Sequence, residues 1–265
     1  MAYKVDEYYR QIDDYELMCQ SQSKMDIPFW REMIRRYEPT YVLELACGSG
    51  RIGIELLHSP QIFQLESLDI NEHMLAAYRE KLEREPDTVK QRVLLHHGDM
   101  CRYNLENMCR FDLIFLAFNS LGHLYETRQQ LDAFRTAYEH LAPGGRFVVD
   151  ISLPMIGLGG SSSQVSLQEI IEAADETFTM AVYSTYHYDR YAQINHITFI
   201  YEKFFASGAN ERRLIRLDSR VFFPGELHWL FHVSGFEIEN IYGGYAGQSF
   251  AQGTRQIVVG RKPDT

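Results

Sequence analysis

This chain has no Cys-x-x-Cys pair and no zinc-ligand spacing. Its four cysteines, Cys19, Cys47, Cys101 and Cys109, are scattered singly. That excludes a disulfide framework or a zinc ribbon and suits a reducing, cytoplasmic setting. No apolar run approaches the roughly 20 residues a bilayer-spanning helix needs. No block of Lys or Arg occurs, and 26 basic residues face 36 acidic ones for a formal net charge of −10. A balance of that sign opposes a phosphate backbone, so neither nucleic acid nor membrane is an expected partner. Internal repeats and low-complexity linkers are absent. The opening MAYKVDEYYRQIDDYE is acidic and aromatic, unlike the basic and then apolar start of a secretory leader.

What is present is an alternation of apolar strands and amphipathic helices. Tyr41–Leu45, Leu65–Ile70, Arg92–His96, Phe111–Ala117 and Arg146–Ile151 read as buried strands. Helices are expected between them. IPFWREMIRRY has Pro28 in its first turn, where the missing N–H costs nothing. A second helix opens at Arg51, and a third is capped by Asn71 with Met74, Leu75, Tyr78 and Leu82 on one stripe. A fourth follows Thr127-x-x-Gln130, which has the spacing of a capping box, and Pro143-Gly144-Gly145 ends it. Strands alternating with helices predict a parallel sheet covered on both faces.

After Pro154 the pattern changes. The glycine- and serine-rich 156–163 reads as a loop. Phe178–Tyr188, Ile194–Phe205 and Arg212–Phe223 alternate apolar and polar residues and read as three antiparallel strands. A helix at Glu226–Val233 and strands at Phe236–Tyr242 and Arg255–Gly260 close the chain. At 265 residues the chain is read as one domain. Residues 1–40 form N-terminal helices, 41–155 a cofactor-binding core, 156–223 an antiparallel insert, and 224–265 the closing elements.

The chemistry concentrates at strand ends. Gly48-Ser49-Gly50-Arg51-Ile52-Gly53 is a literal G-x-G-x-x-G between a strand and a helix, where backbone N–H groups can approach a ligand closely. A nicotinamide dinucleotide is one candidate occupant. Glu44, however, lies inside the first strand, where a charge needs a partner. Asp69 ends the second strand, where a carboxylate can take both ribose hydroxyls. Asp99 follows the third strand and suits an adenine amino group. Three acids at successive strand ends favour a ligand with an amino-acid tail, a ribose and an adenine.

The stretches Val42–Arg51 (VLELACGSGR), Leu68–Leu75 (LDINEHML), Gly98–Met100 (GDM), Phe111–Phe115 (FDLIF) and His140–Phe147 (HLAPGGRF) occur together in this order. In these the chain resembles the class I S-adenosylmethionine-dependent methyltransferases. Asp26–Trp30 (DIPFW) and Ser234–Asn240 (SGFEIEN) add weaker likeness. The resemblance implies an α/β, Rossmann-like, doubly wound sheet of seven mostly parallel strands, with the antiparallel insert after the fifth. It makes S-adenosylmethionine the cofactor and S-adenosylhomocysteine the product. Glu44, Ala46, Cys47, Gly48, Ser49 and Gly50 would form the methionine-tail loop. Asp69 would be the ribose acceptor, Ile70 and Met100 the adenine walls, and Asp99 the acceptor for the adenine amino group, with Met74 and Phe118 nearby. Ala46 departs from the glycine often found there.

The fourth strand runs into Ala117–Leu124 (AFNSLGHL), which lacks the N/D-P-P-Y/F of relatives that methylate nucleobases or glutamine. A small-molecule acceptor is the expectation, placed near Asn119. His123 is the candidate general base, since imidazole titrates near neutrality. By the same resemblance, Tyr9, Tyr15 and Trp30 are candidate residues of an aromatic lid. His228 and His232, four apart on a helix, lack a third ligand, so no metal is expected. A homodimer through the insert, and the choice between N- and O-methylation, stay open. So do two alternatives: a nicotinamide-dependent oxidoreductase and a non-catalytic cofactor-binding scaffold subunit.

Overall fold

Elements and their positions come from a computed structural model, which describes residues 9, 12–105, 111–154, 161–173 and 177–264. Cys109 and most of the expected 156–163 loop lie outside these residues. The chain divides into two compact units, Ser21–Leu153 with Phe222–Thr265, and Met1–Gln20 with Pro154–Val221. The first helix, α1 (Ile12–Tyr37), contributes to both.

The larger unit is built on a seven-stranded sheet. In chain order its strands are β1 (Tyr41–Leu45), β2 (Gln64–Asp69), β3 (Val93–His97), β4 (Phe111–Leu116) and β5 (Leu141–Ser152). The helices α2 (Arg51–Leu57), α3 (Glu72–Leu82), α4 (Asp87–Lys90) and α5 (Thr127–His140) fall between them. After the insert come α6 (Pro224–Val233) and two strands, Glu237–Tyr242 and Arg255–Arg261, which become β10 and β11 once the insert's four strands are counted. The spatial order is β10-β11-β5-β4-β1-β2-β3. All neighbours are parallel except β11, which runs antiparallel to both β5 and β10. This is the doubly wound, Rossmann-like arrangement expected. The chain reverses direction of winding at β1 and β4, and the crevice beyond their carboxyl ends is the place for a ligand.

Strand periodicity sorts the core into two layers. Leu43, Leu45, Ile114, Leu116, Phe147 and Val149 pack on one face with Phe134 of α5 and Phe231 of α6. Val42, Leu113, Phe115, Val148 and Val259 pack on the other with Trp30, Met33 and Ile34 of α1 and Leu56 of α2. The α3 stripe of Met74, Leu75, Tyr78 and Leu82 is buried, and Asn71 Oδ1 accepts from the N–H groups of His73 and Met74 as expected of its cap.

The structure corrects three local expectations. The helix beginning at Ile27 is the second half of the continuous α1, and Pro28 sits inside it. Pro28 and Lys24, the residue whose carbonyl loses its donor, are both exposed, so water can replace the missing bond. The capping box of α5 lies one residue earlier: Glu126 is the cap, and its backbone N–H donates to Gln129 Oε1 at 3.1 Å. Gln130 is instead buried and donates to the Leu124 carbonyl at 2.8 Å. In addition, β5 begins at Leu141, before the Pro-Gly-Gly rather than after it, with a register shift against β4 between Phe111 and Leu113.

The smaller unit holds an antiparallel sheet in the order β6-β7-β8-β9. Its strands are β6 (Ser161–Glu172), β7 (Phe178–Asp189), β8 (Ile194–Phe205) and β9 (Asn210–Arg220). It therefore has four strands where three were expected. β6 was concealed by its serines and by two register shifts against β7, which break the alternation on this edge strand. One face packs Met180, Val182, Tyr201 and Ile215 around Leu17 of α1, with Tyr9 and Tyr15 against the cluster.

Candidate functional site

The loop after β1 is shaped by backbone conformations that side chains resist. Ala46, Gly48 and Gly50 have φ of 52°, 56° and 77°. Ala46 thus occupies a left-handed position, which accounts physically for the preference for glycine there. A Cβ on Gly50 would come within 2.3 Å of the Tyr78 ring. One on Gly53 would meet Tyr78 Oη at 2.4 Å and Glu44 Oε2 at 2.6 Å. The three glycines of G-x-G-x-x-G serve, in turn, the reversal of the chain, the approach of α3 and the seating of α2 over Glu44. Lys81 of α3 donates to Ser49 Oγ at 3.1 Å and fastens the loop from that side.

Two acids line this loop. Asp69 Oδ2 accepts from Gly48 N–H at 2.7 Å, and Oδ1 from Asn71 N–H at 2.7 Å. Ile70 N–H is also directed at the carboxylate, which still has acceptor capacity left for a ligand hydroxyl. Burial raises the Asp69 pKa against the pull of these N–H groups. Glu44 is 3% exposed, and its Oε2 has no hydrogen-bond partner. Burial pushes its pKa up to about 8, with Arg51 opposing and Asp69 adding to the rise. Gly53 N–H and the Ser67 hydroxyl lie close enough to ease that rise, but Oε2 makes no well-formed hydrogen bond, and such an oxygen at the base of a glycine loop fits a cationic group of a ligand. Cys47 is buried beside both acids, which holds its thiol far above the thiolate range and makes it a small loop residue rather than a nucleophile.

The remaining expected positions follow the neighbouring strands. Ile70 is 58% exposed just after β2, presenting an apolar side chain to solvent. Asp99 and Met100 are half-buried after β3, where Asp99 Oδ1 accepts from Cys101 N–H at 2.8 Å. Phe118 and Asn119 follow β4 with φ of 51° and 63°, a strained consecutive pair worth roughly 1–3 kcal/mol per residue. Such strain persists only where surrounding contacts impose it. Met74 is buried on the inward stripe of α3.

His123 ends a short 3-10 turn, Ser120–His123. Its Nδ1 is shielded from solvent, and burial pulls its pKa down to about 4. The imidazole is therefore neutral at pH 7 and a weaker base than the sequence suggested. Trp30 is fully buried and lies against Phe115 with ring centroids 4.7 Å apart, so it is a core residue and not a lid. Tyr9 and Tyr15 meet edge to face at 5.4 Å within the smaller unit.

Asp26 and Arg51 were not anticipated. Arg51 Nη1 and Nη2 donate to the two Asp26 oxygens at 2.7 and 2.6 Å, and Nη1 also reaches Ser23 Oγ at 3.0 Å. The guanidinium stands 5.4 Å from the centroid of the Phe118 ring. This pair ties α1 to the cofactor loop and to the turn after β4. The signal was present in sequence as DIPFW and as the arginine closing the glycine loop, but neither names the other.

A glycine loop at the winding reversal, a buried glutamate beneath it and an aspartate at the next strand end have the arrangement of a nucleotide-cofactor site. A family profile described as a methyltransferase domain matches residues 42–145. That stretch, about two fifths of the chain, carries the methyltransferase-domain likeness and includes the glycine loop, Asp69 and Asp99. One relative is dTDP-3-amino-3,4,6-trideoxy-alpha-D-glucopyranose N,N-dimethyltransferase of Streptomyces venezuelae, 33% identical over 117 residues, 44% of either chain. The chain thus matches less than half the length of that relative. Among solved structures, the CcbJ methyltransferase of Streptomyces caelestis superposes with a TM-score of 0.75 at 25% identity over 90% of both chains. CalS10, an amino pentose methyltransferase from Micromonospora echinaspora solved with S-adenosylmethionine bound, has a TM-score of 0.70 at 22% identity over 88% of both chains. These comparisons lend no support to an oxidoreductase.

Proposed function

We propose that the chain transfers a methyl group from S-adenosylmethionine to an amino nitrogen of a small molecule, with a nucleotide-linked amino sugar as the first candidate. Glu44 and the loop 46–50 would hold the amino-acid tail and Asp69 the ribose. Ile70 and Met100 would flank the adenine, and Asp99 would accept from its amino group. The cofactor supplies an activated methyl on sulfur, and displacement needs an aligned, uncharged acceptor. The observation that carries the choice of nitrogen is the enclosure of His123, whose Nδ1 is shielded from solvent and whose basicity burial lowers. A base that weak suits an amine that arrives with its lone pair free and does not suit removal of a hydroxyl proton. N-methylation by the Streptomyces venezuelae relative supports the same choice.

The test incubates the protein with S-adenosylmethionine and, separately, dTDP-3-amino-3,4,6-trideoxyglucose, glycine and a catechol. Mass spectrometry should find the N-methylated sugar with matching S-adenosylhomocysteine. Methylation of the catechol alone would overturn the nitrogen assignment. Among the described residues no helix is long and apolar enough to cross a membrane. Buried thiols at Cys19, Cys47 and Cys101 support a cytoplasmic setting. Exposed Leu167 and Leu214, on one cross-strand row of the antiparallel sheet with Tyr183 and Ile200, support a homodimer through that sheet. Light scattering on the purified chain would test it.

A further inference from the structure

Asp150, near the end of β5, is fully buried, and its carboxylate joins the turn after β4 to β11 and to the loop before it. Its Oδ2 accepts from Phe118 N–H at 3.0 Å and from Tyr245 Oη at 2.8 Å. Its Oδ1 accepts from Arg255 Nε at 2.6 Å, and its backbone carbonyl from Asn119 N–H at 3.1 Å. Arg255 continues outward. Its Nη1 donates to Ser152 Oγ at 3.1 Å and its Nη2 to Asn119 Oδ1 at 3.2 Å. Asn119 Oδ1 also accepts from Ser152 N–H at 2.7 Å.

The donors are themselves fixed. Tyr245 rides on the loop between β10 and β11, whose two ends touch at Gly243 and Gly253. A Cβ on Gly253 would come within 2.0 Å of the Gly243 carbonyl oxygen, so the crossing admits no side chain. Thr254 and Arg255 N–H both donate to that carbonyl at 3.1 Å. The Arg255 guanidinium lies 4.9 Å from the Tyr245 ring centroid. Burial, reinforced by the Asp150 charge, keeps the Tyr245 phenol protonated and therefore a donor.

We propose that Asp150 and Arg255 are positioning residues for methyl transfer, holding Phe118 and Asn119 in their left-handed turn so that the segment beyond β4 meets the acceptor in one fixed geometry. The inference rests on the methyl-transfer reading above. Phe118 and Asn119 are adjacent and neither is glycine, so the conformation is imposed by their partners. Those partners come from β5, β11 and the β10–β11 loop. The turn's backbone is thus held by hydrogen bonds from the half of the sheet away from the cofactor loop, while Arg51 touches its Phe118 ring from the loop side, and small displacements at such a turn are costly to rate because reacting atoms lose alignment.

The experiment combines hydrogen exchange with kinetics on Asp150→Asn, Arg255→Lys and Tyr245→Phe in the full chain with S-adenosylmethionine present. Asp150→Asn should lose amide protection in residues 117–124. Its S-adenosylmethionine dissociation constant should stay within about threefold of the parent, and its kcat on the dTDP-amino sugar should fall roughly 10- to 100-fold with little change in KM. Arg255→Lys should be intermediate, and Tyr245→Phe, which leaves the Phe118 N–H bond in place, mildest. Unchanged protection in 117–124 would overturn the proposal, as would lost protection with an unchanged kcat. If Asp150→Asn does not fold, the same comparisons on Arg255→Lys decide. A parent protein that neither binds S-adenosylmethionine nor methylates the sugar would sink the proposed function. The exchange data would still decide whether the network holds the turn, and an unaffected turn would overturn this inference independently.

Discussion

If Glu44 receives the cofactor's ammonium, as proposed, cofactor binding should be proton-coupled. In the cofactor-free chain its pKa stands at about 8 instead of 4.5, because the carboxyl is fully buried. At pH 7 roughly nine in ten molecules hold it protonated. A ligand ammonium at Oε2 requires the carboxylate, so binding at pH 7 should release close to one proton. Below pH 7 the apparent affinity should then rise nearly tenfold per pH unit and level off near pH 8, about 1.4 kcal/mol per unit. Calorimetric titration of S-adenosylmethionine in phosphate and in Tris, whose ionisation enthalpies differ, measures the released proton directly. Glu44→Gln should abolish the release. It forfeits a charge-assisted bond worth roughly 1.5–3 kcal/mol, but at pH 7 it also avoids about 1.4 kcal/mol of ionisation, so the affinity gap to the parent should widen as pH rises. The same shift governs stability without cofactor. The native state keeps a proton that the unfolded chain releases, so Glu44 costs stability as pH rises from about 4.5 to about 8, by up to roughly 5 kcal/mol. Glu44→Gln should therefore stabilise the cofactor-free protein at pH 8 and change it little at pH 4. No buffer dependence in the parent, or an equal proton release in Glu44→Gln, would refute the assignment.

Three further outcomes are expected. Asp69→Ala should weaken S-adenosylmethionine at least about tenfold by calorimetry, since two charge-assisted bonds to hydroxyls are lost. His123→Ala should retain activity on an amine acceptor within about tenfold, and a rate-versus-pH profile of the parent between pH 5 and 8 should show no limb that the substitution removes, because the imidazole titrates at about 4. Gly50→Ala places a Cβ 2.3 Å from the Tyr78 ring at φ of 77°, so denaturant unfolding should report a loss of about 2–4 kcal/mol.

Much of this architecture was legible in the chain. Tyr41–Leu45 is a buried strand because four of its five side chains are apolar and flanked by Thr40 and the glycine loop. Asn71 announces α3 because an amide side chain ahead of an apolar stripe has few other uses. What was hidden has specific causes. β6 is a bulged edge strand whose serines satisfy no period. Helix α1 passes through Pro28 because the lost hydrogen bond faces water. Asp99 and Asp69 are readable as acids at strand ends, whereas the Asp26–Arg51 pair spans 25 residues and the Asp150–Arg255 pair 105. No local spacing encodes either pair; each forms only once the sheet brings its partners together. Ala46 was readable as a departure from glycine, but that it adopts φ of 52° emerges only from the folded loop.

The glycine loop with Glu44 and Asp69 is proposed to hold S-adenosylmethionine rather than a nicotinamide dinucleotide. Parallel calorimetric titrations of the purified chain with S-adenosylmethionine and with NADH test it most directly. Saturable micromolar binding of the sulfonium compound and none of NADH is the expected result. Tight NADH binding with no response to S-adenosylmethionine would contradict it.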